Sequence, residues 1–143
     1  YPIQNDYQKR MRANSEKVRN HIGSIPIEKT KFMISLVPEG KNYKALPEEY
    51  QGIYKYHEAL TRYHSKKPSN TINTGHRSHF HYKWNRIPTV RESARLQSFP
   101  DDFIFYGNKS QQYRQVGNAV PPMLGQVVAE KLKQYLKGQD DVE

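Results

Sequence analysis

VRESARLQSFPDDFIFYGNKSQQYRQVGNAVPPMLGQVVAEKL occupies residues 90–132. It reads as a helix, a stop at Phe99-Pro100, a loop, a Gly117-Asn118 turn, a double proline and a second helix. Thr89 just ahead and Glu92 make a capping box: the hydroxyl accepts from the Glu92 N–H, and the carboxylate accepts from the Thr89 N–H. The first helix is predicted to run from Val90 to about Ser98 and to stop before Pro100. Pro121-Pro122 gives the second helix a rigid start. Leu124, Val128, Leu132 and Leu136 then recur at i, i+4, i+8 and i+12, with Val127 beside them. That spacing makes one apolar face, which must be buried against something. Lys131, Lys133 and Lys137 favour the negative C-terminal end, and Gly138 is predicted to close it.

Upstream of this stretch the pattern is weaker. Residues 7–22 mix Lys9, Arg10, Arg12, Lys17 and Arg19 with sparse apolar positions, which predicts an exposed helix or an arm. Phe32, Met33 and Leu36 suit a short amphipathic helix over residues 28–37, ended by Pro38 and Gly40. Leu46-Pro47-Glu48-Glu49-Tyr50 has the proline and acids of a helix start. Residues 61–86 show no helical period and predict short strands and loops, with a turn near Thr74-Gly75.

Composition narrows the function classes. The chain has 143 residues, 35% of them hydrophobic, with 11 tyrosines and 5 phenylalanines. Its mean hydropathy is -0.99, so it is polar for a folded domain. No run of 18 apolar residues occurs, and no membrane span or secretory leader is expected. The chain has no cysteine, which excludes disulfides, thiolate zinc sites and a cysteine nucleophile within it. Asn108-Lys109-Ser110 matches a glycosylation acceptor, taken here as a chance match. Tyr1 in place of a methionine points to a segment of a longer polypeptide.

The net charge is +9. Between Glu58 and Glu92 there is no acidic residue. That window holds Arg62, Lys66, Lys67, Arg77, Lys83, Arg86 and Arg91, with His64, His76, His79 and His81 among them. Such a stretch suits a polyanion groove; a solvated basic loop is the plainer alternative. The histidines have no cysteine or paired carboxylate beside them, so no metal site is expected.

Thr89-Val90-Arg91-Glu92-Ser93-Ala94-Arg95-Leu96-Gln97-Ser98-Phe99-Pro100-Asp101-Asp102-Phe103 resembles the ninth characteristic block of DNA cytosine-5 methyltransferases. Gln115-Val116-Gly117-Asn118-Ala119-Val120-Pro121-Pro122 resembles the tenth. The two stand in that family's order and at its usual separation, and the likeness covers roughly residues 85–136. Lys67-Pro68-Ser69-Asn70-Thr71-Ile72 resembles, less specifically, a Pro-x-x-Thr-Ile/Leu segment of the family's target recognition domain. Residues 1–60 resemble the variable part of that domain only loosely.

The resemblance implies a two-lobed enzyme. A Rossmann-like lobe holds S-adenosylmethionine and a catalytic cysteine, and a small lobe reads duplex DNA. The cysteine attacks C6 of a flipped cytosine, and the methyl group goes to C5. This sequence has no Pro-Cys-Gln, no Glu-Asn-Val, no Gln-x-Arg-x-Arg and no glycine-rich cofactor loop. It therefore resembles the C-terminal portion of such an enzyme. The expected fold is a small α+β domain of short strands and helices, with a C-terminal helix that docks on the missing lobe. Residues 1–86 would be the DNA-reading region, 87–137 the link to the catalytic lobe and 138–143 a tail.

Residue by residue, the resemblance puts Gly117, Asn118, Ala119 and Val120 at the edge of the cofactor pocket. By pattern alone Asn118 is a capping asparagine. Thr71 and Ile72 resemble the pair near the flipped base, although ordinary strand residues fit the same pattern. Arg62, Arg77 and Lys83 are candidates for phosphate or base-edge contact. Arg91, Glu92 and Arg95 would support the recognition lobe, the arginines tying the lobes together. Part of a prokaryotic, cytoplasmic methyltransferase is the leading expectation. A DNA-binding protein that lost the chemistry and a regulatory subunit of a split enzyme are the others. The first and last predict a neighbouring coding region with Pro-Cys-Gln; the second predicts none. Alone, the chain is expected to be inactive and to self-associate through its last helix.

Overall fold

The computed structural model describes residues 2–54, 59–75 and 78–139. Its elements are α1 (Asp6–Arg12), α2 (Glu28–Ser35), a 3-10 turn (Tyr43–Ala45), α3 (Glu48–Gln51), β1 (Thr61–Arg62), β2 (His79–Phe80), α4 (Val90–Leu96), α5 (Lys109–Asn118) and α6 (Pro122–Gln139). The strands pair in parallel, Thr61 opposite His79 and Arg62 opposite Phe80. Helices with a two-stranded sheet make a small α+β fold.

Among the described residues, two apolar clusters hold it together. Met33, Ile34, Val37, Leu46, Leu60 and Phe80 form the first, where α2 and the turn at Leu46 cover the strands. Val90, Ala94, Phe99, Phe105, Tyr113 and Val116 form the second, between α4 and α5. Ile87 packs against both and joins them. Phe99 and Phe105 meet edge to face with centroids 5.2 Å apart, a favoured geometry for ring quadrupoles.

Helix ends follow side-chain chemistry. The Thr89–Glu92 capping box is present at α4. A second box caps α5, where the Asn108 side chain accepts from the Gln111 N–H and the Gln111 side chain accepts from the Asn108 N–H. This corrects the expected loop and Gly-Asn turn: residues 109–118 are helical, and Gly117-Asn118 are the last residues of α5. The helix was masked because only Tyr113 and Val116 are buried along it, too few for an apolar period. The Asn-x-x-Gln spacing at residues 108–111 was its signal. At the other end, α6 continues through Gly138 to Gln139 instead of closing there.

The stretch of residues 7–22, expected as an exposed helix or an arm, is helical only at its start. Only Asp6–Arg12 is helical, and it buries Met11. Residues 19–20 instead lie along α4, where the Arg91 N–H donates to the Asn20 carbonyl at 3.0 Å. Asn20 adopts φ 58°, a left-handed conformation that asparagine tolerates better than most residues. Its side chain accepts from the Phe105 N–H at 3.1 Å and donates to the Phe105 carbonyl at 2.8 Å.

Candidate functional site

The turn between α5 and α6 is clamped from three sides. Gln97, at the end of α4, donates its Nε2 to the Val116 carbonyl at 2.7 Å. The next residue, Ser98, accepts at Oγ from the Met123 N–H at 3.0 Å, which caps α6. Ser98 has φ 61°, a conformation that glycine adopts at lower cost. A glycine there would relax the backbone but remove the cap. On the third side the backbone of Asn73 and Thr74 presses on Gly117. A Cβ on Gly117 would lie 2.7 Å from the Asn73 carbonyl carbon and the Thr74 nitrogen. Gly117 thus admits another part of this chain, a contact invisible in the sequence.

Gly117 and Ala119 are half-buried in this clamp, whereas Asn118 and Val120 are exposed. The side chains of Asn118 and Val120 are therefore accessible from outside the described residues. Thr71 is exposed, and Ile72 packs on the second cluster.

The charged residues of α4 are tied down. Arg91 is fully buried; its guanidinium donates to the carbonyls of Arg19 (3.0 Å), Pro100 (2.9 Å) and Phe103. Burial lowers its pKa, and Asp101 opposes that shift. Arg95 makes a two-pronged pair with the buried Asp101 through Nε (2.8 Å) and Nη2 (2.5 Å). Glu92 receives both Arg86 Nη atoms at 2.7 Å. Burial alone would raise the Glu92 pKa, but the Arg86 and Thr89 hydrogen bonds hold it below the ordinary value. Burial pushes the neighbouring Tyr113 up to about 12, and its hydroxyl donates to the Pro88 carbonyl.

Arg62 requires a correction. It was expected to contact DNA, but it is only 6% exposed. Its guanidinium donates to the Ile34 carbonyl (2.5 Å), Asn85 Oδ1 (2.7 Å) and the His81 and Tyr82 carbonyls (3.4 Å each). Those acceptors hold it inside the fold and away from a phosphate. Arg77 and His76 lie outside the described residues. Lys66, Lys67 and Lys83 are the exposed cations among the described residues of the acid-free window. His79 stacks on Tyr63 at 5.3 Å, and His81 accepts at Nδ1 from the Lys83 and Trp84 N–H groups at 3.1 Å each. Among the described residues no three His, Cys, Asp or Glu side chains are grouped to hold a metal. No helix there is long and apolar enough to cross a membrane.

The α6 face is bare. Leu124, Val128, Leu132 and Leu136 are 54%, 50%, 58% and 61% exposed. The helix is fastened near its start by the Ser98 cap and by Arg10, which donates to Gln126 Oε1 at 2.7 Å.

The family model for C-5 cytosine-specific DNA methylase matches residues 2–134. This chain belongs to the C-5 cytosine-specific DNA methylase family. Among relatives of that family, the type II methyltransferase M1.HphI of Haemophilus parahaemolyticus is 50% identical over 97 residues, covering 68% of this chain and 26% of the relative. The type II methyltransferase M.DdeI of Desulfomicrobium norvegicum is 32% identical over 158 aligned positions, 96% of this chain and 38% of the relative. The DNA (cytosine-5-)-methyltransferase M.ApeKI of Aeropyrum pernix is 44% identical over 79 residues, 52% of this chain and 17% of that protein. This methylase-family chain thus spans 26% and 38% of the length of the first two.

Sequence reasoning missed Gln97, Ser98 and Asn20 as positioning residues. All three act through hydrogen bonds to distant backbone. Such contacts leave no local period to detect.

Proposed function

We propose that this chain is the DNA-recognition and cofactor-rim part of a DNA cytosine-5 methyltransferase, working with a catalytic lobe that carries the nucleophilic cysteine. Residues 1–86 form its DNA-reading region, and residues 87–137 link that region to the catalytic lobe. The observation that carries this is the junction at Gly117. There the backbone of Asn73 and Thr74, the two residues that follow the segment resembling the recognition domain's Pro-x-x-Thr-Ile, rests on the tenth-block turn, which leads directly into the bare face of α6. One clamp joins a DNA-reading segment, a rim for the cofactor and a docking helix.

In this arrangement Asn118 and Val120 bound one edge of the S-adenosylmethionine site, and Gly117 and Ala119 set their position. S-adenosylmethionine, when bound, supplies the methyl group. Lys83, with Lys66 and Lys67, contacts the DNA backbone, while the segment carrying Thr71 and Ile72 lies near the target base. Arg91, Glu92 and Arg95 keep α4 aligned, so that Gln97 and Ser98 hold the turn in place. The parent enzyme acts in a prokaryotic cytoplasm.

The test is methyl transfer from radiolabelled S-adenosylmethionine to duplex DNA. The chain alone is expected to incorporate no label. Adding a family catalytic lobe with Pro-Cys-Gln is expected to produce incorporation that either part alone lacks. Label transferred by the chain alone, or none from the mixture, overturns the proposal.

A further inference from the structure

The loop of residues 81–86 is built as a rigid platform. His81 Nδ1 accepts from the N–H groups of both Lys83 and Trp84 at 3.1 Å. The His81 N–H donates to the Arg86 carbonyl at 3.0 Å, and the Arg86 N–H donates to the Trp84 carbonyl at 2.8 Å. From below, the buried Arg62 guanidinium donates to Asn85 Oδ1 at 2.7 Å and to the His81 and Tyr82 carbonyls at 3.4 Å. Asn85 thus anchors the loop while Lys83 and Trp84 before it stay exposed. Trp84 is 54% exposed and Tyr82 42%. A loop tied at this many points keeps its aromatic side chains outside by its own construction.

We propose that Trp84 stacks on an unstacked nucleobase of the bound DNA, with Lys83 on the adjacent phosphate and Arg62 as the positioning residue beneath. The inference rests on the DNA reading above and names the group that makes the contact. The Lys83 ammonium lies 5.2 Å from the centre of the Trp84 ring. An apolar protein surface laid on this indole would strip water from that ammonium, and the acid-free window has no carboxylate to receive it. A nucleic acid supplies both a flat π face for the ring and an anionic oxygen for the lysine. Because the loop is already fixed, little ordering entropy opposes the contact.

Trp84 is the single tryptophan of the chain, so it reports on itself. The 143-residue chain is titrated with a fluorophore-labelled duplex and with the same duplex carrying one unpaired nucleotide. DNA anisotropy and Trp84 emission are followed together. Emission should be quenched in step with binding, and the duplex with the unpaired nucleotide should bind more tightly, since its base is cheaper to unstack. Trp84→Ala should weaken that binding about fivefold to a hundredfold. Trp84→Phe should retain most of the affinity, because the π face survives. Rising anisotropy with unchanged emission, or equal affinity of Trp84→Ala and wild type, overturns the stacking and leaves the DNA reading intact. No binding to either duplex overturns both. An emission that shifts to the blue with protein concentration alone makes a second copy the occupant and also overturns it.

Discussion

Gly117, the penultimate residue of α5, lies against the backbone of Asn73, so close that a Cβ would stand 2.8 Å from the Asn73 carbonyl oxygen. The glycine φ is not in the left-handed region, so backbone freedom is not what the position requires. Space is. Alanine would gain about 1 kcal/mol of helix propensity, but overpacking against an unyielding backbone costs about 1–3 kcal/mol. Gly117→Ala is therefore expected to lower stability by up to about 2 kcal/mol in urea denaturation. Faster hydrogen exchange at residues 73–75 would locate the damage; an unchanged urea midpoint would show that the segment yields freely.

Arg91 is fully buried with three carbonyls on its guanidinium. Lysine has no planar fork to span them, so Arg91→Lys strands at least one carbonyl and costs about 3 kcal/mol. The loss should appear in the urea midpoint, and Arg95→Lys should cost less because that side chain is half-exposed. Equal losses would argue against the buried fork as the source.

Two acid transitions follow from the directions of the shifts. His81 is held below its ordinary 6.5 by burial first, with Arg86, Arg62 and Lys83 adding against the pull of Glu92. A depressed folded value means its contribution is present above 6.5 and lost as pH falls through the folded value. Protonation would end Nδ1 acceptance from the Lys83 and Trp84 N–H groups, so Trp84 emission should change in that window and His81→Ala should abolish the change. Glu92, held below 4.5, contributes fully above that value and loses its contribution at lower pH. Thermal melting should show this lower step in the wild type and a flattened one in Glu92→Gln.

DNA binding should be weak and salt-sensitive. With Lys66, Lys67 and Lys83 each neutralising one phosphate, the log–log salt slope should be about -2.7. Reversing all three charges should flatten it, as measured by anisotropy across a salt series. A slope unmoved by those changes would place the contact elsewhere.

The exposed α6 face predicts self-association of the isolated chain, measured by sedimentation. Val128→Asp with Leu132→Asp should abolish it. Both side chains are at least half-exposed, so the double change should leave stability within about 1 kcal/mol. The same variant should fail to complement a catalytic lobe, whereas Asn118→Ala should dock normally and weaken the cofactor. If both lost docking equally, the α5–α6 turn and the helix face would not be separable.

The sequence by itself determined the helix starts at Thr89 and Pro121-Pro122 and the apolar face of α6. Capping and periodicity are local, set within a few residues. The family likeness was also legible, because its two blocks are contiguous runs. The fate of each charge was not. Arg62, Lys83 and Arg91 share one acid-free window, yet Arg62 and Arg91 became buried donors and Lys83 stayed outside. The difference lies in which carbonyls meet each guanidinium: Ile34 for Arg62, and Arg19, Pro100 and Phe103 for Arg91. Those partners come from other parts of the chain. The clamp on Gly117 is of the same kind. Close packing assembles residues 73, 97, 98 and 117 from separate segments, and only the tertiary structure decides which backbone a glycine admits.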